Sequence, residues 1–287
     1  MSVNIAPVEN HREREKGVIV YPVYSRRSGG LSIGINLFPD RKSCQFDCPY
    51  CEVFPFSANA EFSPRLMESD LRGAIADAKS KNVKINDICF SGNGEPTLSP
   101  AFPDALERAE KIREETALCA KLVIITNGAG LISPEIFALL KKAACNPALD
   151  IWLKLDAGDP LWYKKINRCS LPYETLAEKI KEFIISAPVT IQTMLCAVNG
   201  EPPPDEEART WENFLLKAAD AAATGAAAER AANGGAIRKV QIYGKARPAP
   251  EDPLASALPA EILERRAASL RRAFADNSLT IPVEIYL

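Results

Sequence analysis

From residue 31 onward, short apolar segments alternate with longer amphipathic segments, and this alternation limits the folds open to the chain. The six predicted strands are residues 31–38, 87–92, 121–128, 150–156, 189–196 and 239–244. The five predicted helices between them are residues 65–80, 102–116, 134–144, 173–185 and 207–223. Strands separated by helices favour βαβ units and a parallel sheet. The pattern therefore predicts an α/β fold, an open, partial (βα)6 barrel related to the (βα)8 fold.

Several predicted strands place polar residues on one face and apolar residues on the other. Ser32 and Asn36 alternate with leucine and isoleucine in the first strand, and Lys154 and Asp156 do so in the fourth. Parallel strands covered by helices usually read as continuous apolar runs, and a filled barrel needs apolar residues inside. We therefore expect the polar face to line a lumen that holds a polar cofactor and substrate. Irregular alternation without a function is the alternative.

Three cysteines lie close together in the spacing C-x3-C-x2-C, at Cys44, Cys48 and Cys51. Cysteine thiolates are the usual ligands of iron–sulfur clusters, and three of them can hold three irons of a 4Fe–4S cluster. A structural zinc site needs four ligands, and the only histidine of the chain, His11, is far upstream. The fourth iron is therefore predicted to stay open for another ligand. Three cysteines adjacent by chance, or a partial metal site, are the alternatives.

With Tyr50 directly before the last cysteine, the motif resembles the signature of the radical SAM superfamily. The resemblance implies two cofactors, a 4Fe–4S cluster and S-adenosylmethionine (SAM), whose amino and carboxylate groups chelate the open iron. An electron from the cluster then cleaves the sulfonium and releases a 5′-deoxyadenosyl radical, while the protein positions and shields the cofactor. It also implies that the fold is the partial (βα)6 barrel of the radical SAM type.

A second motif follows the second predicted strand, at Gly92, Asn93, Gly94 and Glu95. Functional residues of barrel folds lie at the carboxyl ends of strands, and glycine lets the backbone approach a ligand closely. In the superfamily a Gly-Gly-Glu type motif at this place binds the amino group of SAM; here Asn93 interrupts the glycine pair. The resemblance implies that Glu95 pairs with the ammonium group through a charge-assisted hydrogen bond. Gly-Asn-Gly is also an ordinary turn sequence.

The resemblance implies further cofactor contacts at other strand ends. Thr126 and Asn127 close the third predicted strand, and Lys154 and Asp156 close the fourth, where the SAM ribose and carboxylate are held. Lys154 is also a candidate catalytic residue, because it could neutralise the SAM carboxylate; a pair with Asp156 that only balances charge is the alternative. Tyr50 is predicted beside the adenine, since aromatic faces stack on bases, with a packing role as the alternative.

Three more residues are predicted in the lumen. Gln192 and Tyr243 are expected to contact the cofactor or substrate. Cys196, at the end of the fifth predicted strand, is the second candidate catalytic residue, as a hydrogen-atom donor. A buried, unreactive thiol is the favoured alternative for Cys196.

Longer segments resemble the branch of the superfamily that includes tRNA wyosine synthase. They are residues 25–52, 90–98, 152–159 and 240–250, within a resemblance that covers residues 22–287. Enzymes of that branch hold a second cluster through cysteines upstream of the motif, whereas this chain has none before Cys44. A single-cluster member is therefore predicted.

These observations predict an enzyme that cleaves SAM reductively and uses the radical to abstract hydrogen from a substrate. The resemblance implies a flavodoxin or ferredoxin as the electron donor. The formal net charge of −2 argues against a strongly basic nucleic-acid binder, so tRNA and a small molecule or peptide both stay open as substrates. A non-catalytic iron–sulfur electron carrier or redox sensor is the alternative of another class, and an activase that generates a glycyl radical in a partner enzyme is a third.

The predicted organisation is an N-terminal extension (residues 1–30), a core barrel (31–248) and a C-terminal capping segment (249–287) with a helix at 260–274 and a strand at 282–287. The chain begins with a polar segment rather than a signal peptide, and no apolar run approaches the roughly 20 residues of a membrane helix. A soluble, cytoplasmic protein with reduced thiols is expected. The cysteines outside the motif are expected to be small buried apolar residues.

Overall fold

The structure of the chain, a computed structural model, describes residues 17–116, 118–224, 236–247, 249 and 254–287. The chain divides into two compact units that are interleaved along the sequence. Unit one contains described residues 17–44, 52–125 and 148–150. Unit two contains residues 45–51, 126–147 and the described residues from 151 to the end.

Unit one contains a mixed sheet and two helices. Its strands, in their hydrogen-bonded order, are β1 (Val20–Ser25), β2 (Gly30–Ile35), β3 (Ile85–Phe90) and β4 (Lys121–Thr126, whose last residue belongs to unit two). Its helices are α1 (Pro64–Ser80) and α2 (Phe102–Glu115). The parallel pairing of β2, β3 and β4 confirms the βα units predicted for this part of the chain.

Strand β1 was not predicted, because its residues fall in the segment assigned to the polar extension. It pairs antiparallel with β2 at the edge of the sheet, where Pro22 is tolerated because an edge strand need not donate every backbone N–H. Tyr21 lies across Gly34, where an added Cβ atom would come within 2.2 Å of the tyrosine ring. The Tyr21 hydroxyl is 2.8 Å from the Ser91 hydroxyl, so β1 is fixed to the residue that follows β3.

Unit two contains a parallel sheet with helices between its strands. The strands, in their hydrogen-bonded order, are β5 (Leu149–Lys154, whose first two residues belong to unit one), β6 (Pro188–Leu195), β8 (Ala236–Gly244) and β10 (Val283–Tyr286). A short antiparallel pair is formed by β7 (Ala197–Val198) and β9 (Ala255–Ser256). The helices are α3 (Pro134–Ala144), α4 (Pro160–Ile166), α5 (Tyr173–Ser186), α6 (Asp205–Thr224) and α7 (Ala260–Asp276). Helix α4 and the short pair were not predicted.

Polar residues on the predicted strand faces are buried, but a lumen lined by them stays a prediction. In unit two, Gln192 and Gln241 are fully buried register partners on β6 and β8. The side-chain amide nitrogen of Gln192 donates to the side-chain oxygen of Gln241 at 2.8 Å. Gln241 in turn donates to Glu284, its register partner on β10, at 3.3 Å. Cross-strand pairs of this kind stabilise a sheet because each buried polar group obtains a partner.

Three predicted strands end two residues too late. The predicted ends at residues 92, 128 and 156 compare with observed ends at Phe90, Thr126 and Lys154. The polar residues that follow β3, β4 and β5 therefore lie in the loops after the strands, which is where a parallel α/β fold places its ligand-binding residues.

Within the described ranges, no helix combines the length and the apolar composition needed to span a bilayer.

A buried ion pair in unit two gives a test of the packing. Glu207 accepts a hydrogen bond from the Gly158 backbone N–H at 2.9 Å and pairs with Arg266 at 3.1 Å, and both side chains are nine-tenths buried or more. Burial outweighs Arg266 and raises the pKa of Glu207. Glu207→Ala leaves a buried cation and an unpaired backbone N–H, so we expect a loss of about 3 kcal/mol in the free energy of unfolding, measured by urea denaturation.

The neighbouring Glu206→Ala variant is the matched control. Glu206 pairs with Arg209 at 3.1 Å, but both side chains are mostly exposed, and such pairs contribute about 0.5 kcal/mol or less. Equal effects of the two substitutions would contradict the assigned role of the buried pair.

Candidate functional site

Two of the three motif cysteines lie on a tight turn in unit two. The backbone N–H of Cys51 donates to the carbonyl oxygen of Cys48 at 2.9 Å, and Pro49 occupies the second position, which proline favours because its φ angle is already suitable. Cys44 belongs to unit one, four residues before Cys48. None of the three thiols is in a disulfide within the described part of the chain; Cys44 is exposed, and the other two are partly buried.

The turn is attached to the end of helix α4. The backbone N–H of Asp47 donates to the carbonyl oxygen of Asn167 at 3.0 Å, and the side-chain amide of Asn167 donates to the Cys48 sulfur at 3.6 Å. Helix α4 is capped at its start by Asp159, which accepts from the Trp162 backbone N–H at 2.8 Å. The sequence analysis did not identify Asn167. The only sequence signal nearby is Asp159, which caps the start of the seven-residue helix α4 that Asn167 follows.

The carboxylate of Asp156, just after β5, is the common acceptor for several donors of unit two. Its oxygens accept hydrogen bonds from Lys154 at 3.2 Å, from the Met194 backbone N–H at 2.9 Å and from Asn167 at 3.1 Å. The hydroxyl of Tyr50 is the fourth donor. A carboxylate has about four lone-pair positions, so these donors satisfy Asp156 within the protein.

Lys154, at the end of β5, is held between the same carboxylate and two aromatic rings. Its ammonium donates to the Tyr243 hydroxyl at 2.6 Å and lies 4.9 Å from the centre of the Tyr50 ring and 5.2 Å from that of Tyr243. Burial opposes the charge, but Asp156 and then Tyr243 outweigh it and raise the pKa of Lys154. The side chain is therefore a fixed cation, 14% exposed.

The same charges act on the Cys48 thiol. Burial, followed by the negative charge of Asp156, raises the pKa of Cys48 to about 12, while Lys154 and the hydrogen bonds from Tyr50 and Asn167 act in the opposite direction. The metal-free thiol is therefore protonated at neutral pH. Because a metal ligand must be the thiolate, binding a cluster here releases a proton.

The predicted glycine motif lies in unit one. The Ser43 backbone N–H donates to Asn93 O at 2.9 Å, and the Glu95 backbone N–H donates to Ser43 O at 2.9 Å. An added Cβ atom at Gly94 would come within 1.8 Å of Ser43 O, so only glycine fits there. The loop is thereby fixed to the residue directly before Cys44.

Glu95 and Asn93 also have structural partners. The buried Glu95 carboxylate accepts from the backbone N–H and the hydroxyl of Thr97 at 3.2 and 2.7 Å, and so caps a short 3-10 turn. The backbone N–H of Asn93 donates to Asn36 at 3.1 Å, and Gly92 has a positive φ of 122°. The two Thr97 contacts orient the Glu95 carboxylate, and its contact with the SAM ammonium stays a prediction.

The residues after β4 support their own loop. Thr126 accepts from the Gly128 backbone N–H at 3.1 Å, and Asn127 accepts from the Ala129 backbone N–H at 2.9 Å. Both side chains are buried, and Gly128 has a φ of +82°. Contacts of Thr126 and Asn127 with a SAM ribose stay a prediction.

The remaining predicted residues fall into different surroundings. Tyr50 is buried, as the packing alternative requires, and its contact with adenine stays a prediction. The side chain of Gln192 is hydrogen-bonded to Gln241 on the neighbouring strand β8. Cys196 is fully buried, and burial, followed by the charge of Asp156, raises the pKa of its thiol to about 12.

The expectation that the other cysteines are buried is confirmed only in part. Cys89 and Cys196 are buried, but Cys119 and Cys145 are exposed and Cys169 is partly exposed. Cys119 follows the end of α2, and Cys145 caps α3. Both lie near helix ends that face solvent, so these two cysteines are not buried although cysteine usually is.

The donor set fits an iron–sulfur cluster. Among the described residues, no three His, Cys, Asp or Glu side chains converge closely enough to hold a single metal ion. A 4Fe–4S cluster takes each thiolate on a different iron, so its ligands need not converge on one point. Thiolates suit zinc and iron–sulfur clusters alike, but three of them are one fewer than a structural zinc site takes and match a 4Fe–4S cluster with one iron left open.

Comparison with known proteins places these residues in a family. The model described as the Radical SAM superfamily matches residues 42–211, more than half of the chain. That range includes the three motif cysteines, the loop from Gly92 to Glu95 and the Asp156 network apart from Tyr243.

Curated relatives match a similar part of the chain. The chain is 30% identical over 186 residues to the UPF0026 protein of Helicobacter pylori strain 26695, which is 64% of this chain and 56% of that protein. It is 29% identical over 181 residues to the UPF0026 protein of strain J99, with 63% and 54% covered. The chain thus spans about half the length of these curated relatives.

Solved structures extend the likeness to the whole fold. A radical SAM methyltransferase from Sphaerobacter thermophilus has a TM-score of 0.60 at 14% identity, covering 92% of this chain and 68% of that chain. Streptococcus suis SuiB bound to precursor peptide SuiA has a TM-score of 0.59 at 15% identity, covering 88% and 48%. At these identities the likeness shows the fold, and it confirms the predicted partial (βα)6 barrel. The chain belongs to the radical SAM superfamily.

Proposed function

We propose that this protein is an enzyme that reductively cleaves SAM at a 4Fe–4S cluster and uses the resulting 5′-deoxyadenosyl radical to abstract hydrogen from a substrate. The observation that carries the proposal is the attachment of the Cys48–Cys51 turn to the Asp156 network at the end of β5. That network holds a fixed cation, Lys154, and the charge of its carboxylate acts on the buried thiol of Cys196. The cluster would be held by the thiolates of Cys44, Cys48 and Cys51.

In this proposal, some residues of the chain bind the cofactor and others orient the residues that bind it. When bound, the cluster and SAM supply the electron and the radical. Glu95 binds the SAM ammonium, and Lys154 neutralises the carboxylate, because each is a buried charge of the sign opposite to its target. Asp156 is already satisfied by four donors, so it positions Lys154 and Tyr50 rather than contacting the cofactor.

The proposal includes a cytoplasmic location and a flavodoxin or ferredoxin as the electron donor. The eight cysteines all lie within the described residues and form no disulfide there, which suits a reducing compartment. A low-potential protein donor is the class of partner that can reduce a cluster of this kind.

For the substrate, we propose tRNA as the first class to test, with a small molecule or peptide as the alternative. The sequence resemblance to the wyosine synthase branch favours tRNA. Basic residues also precede the motif in unit one: Arg26 and Arg41 are exposed, and Arg27 and Lys42 are partly exposed. The solved structure of SuiB with its precursor peptide supports the peptide alternative. A tRNA complex would weaken steeply as salt rises, because phosphate contacts release counterions.

The first test is SAM cleavage by anaerobically reconstituted protein with dithionite. We expect 5′-deoxyadenosine from the wild type and none above background from Cys48→Ala, because the cluster loses one of its three thiolates. Chromatography with mass detection measures the product, and iron and sulfide analysis measures cluster content. Cys145→Ala, which removes an exposed cysteine outside the motif, should retain wild-type product.

The same assay separates the enzyme from an iron–sulfur electron carrier or redox sensor. A carrier holds a full cluster and is reduced by dithionite, but it leaves SAM intact. A full cluster with no deoxyadenosine, in the presence of bulk tRNA and in its absence, would therefore favour the carrier over the proposed enzyme.

Glu95→Gln tests the assigned ammonium contact. Glutamine keeps the size of the side chain and an oxygen that can accept from Thr97, but it removes the negative charge. Hydrogen bonds to charged groups contribute about 1.5–3 kcal/mol, so we expect the SAM Kd to rise roughly tenfold to hundredfold with cluster content unchanged. Calorimetric titration of oxidised protein with SAM measures it.

The matched control is Glu107→Gln on the exposed side of α2, which should bind SAM with the wild-type Kd. If Glu95→Gln also binds with the wild-type Kd, then Glu95 serves only as the cap of the short turn at Thr97.

A further inference from the structure

We propose that Asn167 is a positioning residue for the iron–sulfur cluster, which fixes the Cys48 sulfur through a hydrogen bond and raises the cluster's reduction potential. The inference rests on the proposed function, because it takes Cys48 to be a cluster ligand. Asn167 lies 119 residues from Cys48 along the chain, and nothing in the motif itself identifies it.

The side-chain amide of Asn167 donates to a cysteine sulfur and to a carboxylate oxygen. Its amide nitrogen is 3.6 Å from the Cys48 sulfur and 3.1 Å from a carboxylate oxygen of Asp156. An asparagine amide offers two donors, and the residue is only 2% exposed, so water does not compete for them. The amide therefore stands between a ligand sulfur and a buried carboxylate.

The backbone of Asn167 is fixed on both sides, so the amide is held in position before any cluster binds. Its N–H donates to Tyr163 O at 2.9 Å as the last bond of helix α4, and its carbonyl oxygen accepts from Asp47 N at 3.0 Å. The next residue, Arg168, adopts a φ of +46°. A non-glycine residue in this left-handed region is unfavourable and turns the chain sharply after Asn167.

The hydrogen bond affects the two redox states unequally. Reduction adds one negative charge to the cluster and its sulfur ligands, so an N–H directed at a ligand sulfur stabilises the reduced state more than the oxidised state. Hydrogen bonds to the sulfurs are among the factors that set cluster potentials, and a buried setting strengthens them. Without the amide, the Cys48 sulfur also faces the carboxylate of Asp156 with less screening, which acts in the same direction.

The test is the midpoint potential of the reconstituted cluster without SAM, followed by EPR in an anaerobic redox titration. Asn167→Leu keeps the branching at Cγ and removes the donor, and Asn167→Asp keeps the shape but replaces the donor with an oxygen. We expect both variants to be harder to reduce, by about tenfold in the equilibrium constant, which is 59 mV for one electron. The shift should be larger for Asp than for Leu. Lys164→Ala, on the exposed side of the same helix, should keep the wild-type potential.

The outcomes separate this inference from the function on which it rests. A wild-type potential in both variants, with full iron and sulfide content, would overturn it. Variants that bind no cluster, while Lys164→Ala does, would show a purely structural role and would also overturn it. A shifted potential in a protein that does not cleave SAM would support the role of Asn167 and reject the enzyme instead. Wild-type protein that assembles no cluster would reject both.

Discussion

The carboxylate of Asp156 is the group on which the organisation of the site in unit two depends. Its side chain is completely inaccessible to solvent, and an ionised carboxylate in that position is stable only when donors replace the lost water. The donors come from four parts of the chain: Tyr50 in the cysteine turn, Lys154 on β5, Asn167 after α4 and the Met194 backbone on β6. Satisfying one buried charge thus sets the position of the turn that carries Cys48.

Lys154 balances the charge that this arrangement brings close to the thiols. Asp156 alone would oppose formation of the Cys48 thiolate, since it acts together with burial to raise the thiol pKa. Lys154 lowers that pKa and is itself kept charged by Asp156 and Tyr243. The pair therefore adds no net charge to the interior of unit two, and the cation of Lys154 offsets the effect of Asp156 on the Cys48 thiol.

The sequence predicts those features that depend on local pattern. Alternation of strands and helices is enough to find the parallel strands of both units, and Lys154 and Asp156, two residues apart, are expected on one side of a strand. Asn167 and the contact of Ser43 with Gly94 escape prediction, because they pair residues that are distant in sequence and leave no periodic signal. Strand β1 was missed for another reason. A proline such as Pro22 interrupts a strand pattern unless the strand is known to lie at the edge of a sheet.

The polar residues of the strands serve two different purposes that the sequence pattern does not distinguish. Within the strands, Gln192, Gln241 and Glu284 satisfy one another from strand to strand, so their polarity is explained by the sheet itself. Beyond the end of β5, Asp156 carries charge and pairs with Lys154, and Asn167 donates to Asp156 and to the Cys48 sulfur. Polar alternation in these strands therefore reflects pairing within the sheet, whereas the residues after β5 are fixed by contacts outside the strand ladder.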